Sequence, residues 1–61
     1  MNEMELKVVA ALGAVRESGQ VNMFDRLGAA DVAESLGFDD EAEWLRKNPK
    51  QYMNVLTAVR S

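Results

Sequence analysis

Met4, Val8, Ala11, Leu12 and Val15 recur at i, i+4, i+7, i+8 and i+11, which places them on one face of a helix. Ser18-Gly19 then ends the run, because glycine adopts the left-handed stop conformation without steric cost. The spacing predicts a helix over residues 3 to 17. The same periodicity, with no strand alternation, internal repeat or low-complexity tract, governs the rest of the 61 residues. Ala29 to Leu36 reads as a short helix with Val32 and Leu36 inward. Gly37 closes it, and Phe38 packs back in the manner of a Schellman stop. Asp39-Asp40-Glu41 opens a third helix carrying Trp44 and Leu45, with Glu43 placed to meet Arg46 and Lys47. Asn48-Pro49 is the clearest boundary: proline suits the first helical position, so Asn48 is expected to cap a last helix from Pro49 to about Arg60, with Tyr52, Val55, Leu56 and Val59 inward. The reading is a single all-α domain over residues 1–61, a compact bundle of three to four short helices. A degenerate helix-turn-helix is kept open by Val32 to Phe38.

A chain this short buries only about 60% of the surface its unfolded form exposes, so a supplement to its core is expected. With no cysteine and no histidine, disulfides and structural zinc are unavailable, and self-association remains. Leu6, Val9 and Gly13 form a second stripe, roughly 100 to 160° round the first helix. It is read as an oligomer seam or as a face covered by the chain's own tail. The same two absences remove thiol nucleophiles, imidazole bases and transition-metal ligand sets, and no glycine pattern cradles phosphate. Asp39, Asp40, Glu41 and Glu43 lack the loop pattern of a calcium site. The expectation is a non-enzymatic protein with no catalytic residue, metal or cofactor.

Seven basic and ten acidic residues give a net charge of -3, which argues against binding nucleic acid through phosphate contacts. The charges are segregated. Asp31 to Glu43 holds six acids and no base, and Arg46 to Arg60 holds four bases and no acid. Helix dipoles account for this pattern, as does an acidic patch that steers a basic partner. If Val32 to Phe38 opened a DNA-reading motif, the recognition helix would begin with three carboxylates facing phosphates. An acidic N-terminus and the lack of a long apolar run point to a cytoplasmic protein without a membrane span.

Ser18 to Asp25 is the segment where function is concentrated, because it sets Met23 and Phe24 in what is otherwise a loop. They either plug the gap between the first and last helices or are presented to a partner. Asn22 is expected to cap a helical turn starting at Met23, with Asp25 at its third position, and Gly28 to interrupt before the next helix. Arg16 is read as a solvated residue near the helix C-terminus, although its position beside Asp25 after the turn would also allow a pair that fixes the loop. Trp44 and Tyr52 are read first as core, but their polar tips need water or a partner, which keeps both near the surface and makes them the best candidates for interface anchors. The candidate partner-binding set is Asn22, Met23, Phe24, Asp25, Trp44 and Tyr52.

Arg16-x-Ser18-Gly19-x-x-Asn22-Met23-Phe24-Asp25, followed by Val32, Ala33, Gly37-Phe38, Trp44-Leu45 and Tyr52, resembles a family of very short phage- and prophage-encoded helical proteins of unknown function. The resemblance covers about residues 9 to 57. This chain departs from it by extra residues around Leu27, Gly28 and Ala29. The resemblance implies a bacterial host and an accessory role, with no activity or catalytic residue to carry over. The function expected is a protein-binding module that modulates a host protein by occupying its surface. A helix-turn-helix-derived DNA-binding regulator and a small-ligand sequestering oligomer are the alternatives.

Overall fold

The computed structural model describes residues 1–60 and contains four α-helices: α1 (Glu3–Ser18), α2 (Arg26–Ser35), α3 (Asp39–Lys47) and α4 (Tyr52–Arg60). A single 3-10 turn, Pro49–Gln51, leads into α4. The all-α bundle read from periodicity is the fold observed.

Each helix has a local reason to start and stop. At the start of α1, Asn2 Oδ1 accepts from the Glu5 amide at 2.8 Å while Glu5 Oε1 accepts from the Asn2 amide at 3.0 Å, a reciprocal capping box. Gly19, at φ 65°, stops it. At the end of α2 the Gly37 amide bonds Glu34 O and the Phe38 amide bonds Ala33 O, the two hydrogen bonds of a Schellman motif, with Gly37 at φ 96°. The half-buried Phe38 packs against the core, as expected.

Two boundaries differ from the reading of the sequence. Helix α2 begins at Arg26 rather than Ala29, because Asp25 is its cap and accepts from the Gly28 amide at 3.0 Å. Gly28 is therefore a residue of the first helical turn and not an interruption. A Cβ at Gly28 would meet the Asp25 carboxylate and lie 2.7 Å from Val21 Cγ2, so glycine permits this tight entry. Leu27, Gly28 and Ala29 belong to that opening turn. Asn48 also acts backward and not forward: its Nδ2 donates to Trp44 O at 2.9 Å, satisfying an orphan carbonyl of α3, and makes no side-chain cap for the turn that follows.

The core joins Val8, Leu12 and Val15 of α1, Ala29, Ala30 and Ala33 of α2, Ala42 and Leu45 of α3, and Tyr52, Val55 and Leu56 of α4. The faces of α1 and α4 are those the periodicity gave. On α2 the inward stripe is alanine: Val32 is half-buried and Leu36 is 43% exposed. Small side chains let α2 and α3 approach closely, and the larger ones are displaced to the rim.

Candidate functional site

The turn between α1 and α2 is held from three directions. Asn22 Oδ1 accepts from the Phe24 amide at 2.9 Å, an Asx turn, and Asn22 O accepts from the Asp25 amide at 2.9 Å. Asp25 then caps α2 through side chain and backbone. From the far side of the core, the Tyr52 hydroxyl donates to the Met23 carbonyl in a short hydrogen bond. Asn22 thus caps a two-residue turn, and no helix starts at Met23.

This framework separates the two apolar residues. Met23 is half-buried and packs on the core, whereas Phe24 is 66% exposed. Plugging and presentation are therefore divided between neighbours. Phe24 forms one wall of a groove of about 220 Å³ lined by Arg16, Met23, Leu56, Val59 and Arg60. Arg16 leaves the last turn of α1 and its Nη1 donates to Val59 O at 3.4 Å, so the C-terminal ends of α1 and α4 adjoin here. Arg16 is exposed in the last turn of α1, as read from the sequence, and its contact is with this junction and not the pair with Asp25 that its position also allowed. The Arg60 guanidinium lies over the Phe24 ring, 5.9 Å from its centroid.

Tyr52 is not a surface anchor. It is 4% exposed, and its polar tip is used on the loop. Burial, and secondarily the negative charge of Asp25, pushes its phenol above the usual value of 10.0, with Arg26 opposing. Trp44 is half-buried and lies apart from the turn, in a second groove of about 240 Å³ with Met4, Asp40, Glu43, Lys47 and Asn48. Of the α1 stripe, Leu6 is 59% exposed, Val9 packs partly on the core, and Gly13 has nothing within 4 Å of the position a Cβ would take. The chain's own tail does not cover Leu6.

Arg26, which the sequence reading did not single out, and Arg46, which it placed beside Glu43 but which turns to α2 instead, tie the acidic half together. Arg26 Nη1 donates to Leu45 O at 2.8 Å and Arg46 O at 2.9 Å, closing the end of α3. Arg46 reaches from α3 to Asp31 at 2.7 Å and Glu34 at 2.6 Å on α2, and the hydrogen bonds it donates to these carboxylates raise its already high pKa. Glu43 pairs with Lys47 at 2.9 Å as its spacing predicts. The run of acids is thereby partly consumed within the fold. Among the described residues no group of three carboxylates converges as a metal site would require, and no helix is long and apolar enough to cross a membrane.

Comparison with curated proteins and with solved structures gives no match. A family pattern does match, over residues 2–58, which is nearly the whole chain and includes the turn, the Trp44 groove, Arg16, Met23, Phe24 and Leu56 of the first groove, and all four helices up to the last turn of α4. The chain belongs to the family described as a domain of unknown function, DUF5049.

Proposed function

We propose that this protein is a non-enzymatic protein-binding module, a phage- or prophage-type accessory factor that acts in the bacterial cytoplasm by covering a surface of a host protein. The observation that carries the reading is the 66% exposure of Phe24 on a loop fixed by Asn22, Asp25 and the Tyr52 hydroxyl. An aromatic side chain held in place before contact loses little conformational freedom on binding, which is the property of an interface anchor. Met23, Asn22 and Asp25 support the knob, Tyr52 acts through the loop, and Trp44 offers a separate contact.

Capture of partners from a bacterial lysate tests this, with wild type compared against Phe24→Ala. The variant removes an exposed side chain, so its circular-dichroism spectrum should match the wild type while the captured partner is lost. Recovery of the same partner by the folded variant would remove the loop from the site.

Self-association through Leu6, Val9 and Gly13 is a second proposal, favoured by the exposure of Leu6 and the open space at Gly13. Reading of DNA is disfavoured. The helix that would enter the groove opens with Asp39, Asp40 and Glu41, and its Arg46 is already bound to Asp31 and Glu34. A monomeric small-molecule binder is disfavoured by groove size, since about 220 Å³ falls below the roughly 300–1,000 Å³ of such sites.

A further inference from the structure

We infer that the groove between the ends of α1 and α4 recognises an acidic segment of a partner protein carrying one bulky apolar anchor, which seats against Phe24, Met23, Leu56 and Val59 while flanking carboxylates meet Arg16 and Arg60. This rests on the reading of the protein as a binding module and adds the chemistry of what it binds. The argument is one of charge complementarity. In a chain of net charge -3, Lys7, Arg46 and Lys47 are ion-paired with the protein's own acids, and Arg26 is spent on the carbonyls of Leu45 and Arg46. Of the three other cations, Lys50 lies on the turn before α4, whereas Arg16 and Arg60 border the same apolar groove, and among the described residues neither arginine is in an ion pair with a carboxylate.

Both guanidiniums are held there by the fold. The ends of two helices converge at this point, and their carbonyls favour cations. Arg16 uses one donor on Val59 O and keeps the rest of its five N–H groups, while Arg60 rests on the Phe24 ring. A planar guanidinium so placed accepts a carboxylate side-on with little further ordering. The groove volume suits a single side chain such as leucine or phenylalanine, and its floor is carbon. A phosphate backbone carries no apolar side chain to fill the groove, and a basic segment would meet repulsion from the two guanidiniums.

The test titrates the wild-type protein with the blocked peptide acetyl-Glu-Glu-Leu-Phe-Glu-Glu-amide and with its counterpart in which every Glu is Gln, following methionine methyl resonances. The acidic peptide should shift Met23, which lines the groove, and leave Met4 and Met53 in place. Its affinity should exceed that of the glutamine peptide about tenfold, and added salt or the double variant Arg16→Gln/Arg60→Gln should erase the difference. Equal affinity for the two peptides overturns the inference while leaving Phe24-dependent capture of a partner intact. Shifts at Met4 or Met53 in place of Met23 overturn it by locating the acidic segment elsewhere, and so does an absence of shifts at millimolar peptide. Failure of the loop as the binding site is registered separately, by Phe24→Ala retaining its partner, and failure of the binding-module reading by wild type capturing none.

Discussion

Gly13 and Gly28 both lie inside helices, where replacing glycine by alanine ordinarily stabilises by about 0.5–1 kcal/mol. Their surroundings give them opposite signs. A Cβ at Gly13 meets open space, so Gly13→Ala should raise the denaturation midpoint by that ordinary amount. At Gly28 the new methyl collides with Val21 and with the carboxylate that caps α2, so Gly28→Ala should lose about 1–2 kcal/mol in urea denaturation. A stabilised Gly28→Ala would show that the cap relaxes freely. Gly13→Ala carries a second readout, because a methyl on a close-packed seam would weaken self-association measured by sedimentation. Sequence spacing sets Gly13 inside the first helix and reads Gly28 as an interruption, and it gives the sign of neither substitution, since the collision partners at Gly28 are not identified by residue type.

The helices illustrate how much local chemistry can specify. The α1 stop, the Schellman end of α2, the acidic first turn of α3 and the i,i+4 pair of Glu43 and Lys47 were all legible, because each depends on residues within about one turn of each other. Asp25 as the α2 cap and Asn48 as a backward donor were misplaced, because a polar side chain beside two possible helix ends has two local solutions. The packing of α2 on α3 was not legible at all. It brings Arg26 to the end of α3 and Arg46 to Asp31 and Glu34. These two arginines should behave differently. Arg26→Met leaves two helix-end carbonyls without their donor, and should cost about 1–2 kcal/mol with little dependence on salt. Arg46→Met removes only exposed pairs, so its effect should be smaller and should disappear in high salt. Urea titrations at low and high ionic strength separate the two outcomes.

For the molecule as a whole, the bond from Tyr52 to Met23 O links the last helix to the presented loop, so stability and the site share one group. Burial raises the Tyr52 pKa in the folded protein above its unfolded value. The folded state therefore holds the proton more tightly, and the associated stability is complete below about pH 10 and is lost as pH rises through the folded value. Wild type should lose stability in that alkaline window together with the appearance of phenolate absorbance from this lone tyrosine. Tyr52→Phe should cost about 1 kcal/mol at neutral pH, remove that part of the alkaline loss and loosen the loop, weakening partner capture without touching the contact surface. An unchanged alkaline profile in Tyr52→Phe would assign the loss to other groups. The sequence by itself determined the four helices and most of their ends, because hydrophobic period, glycine stops and caps are set by neighbours along the chain. Tertiary packing settles that Met23 turns in while Phe24 turns out, that the Tyr52 hydroxyl meets the Met23 carbonyl, and that Arg16 and Arg60 share a groove. Those outcomes depend on which distant helix arrives beside each residue, and no local spacing records that.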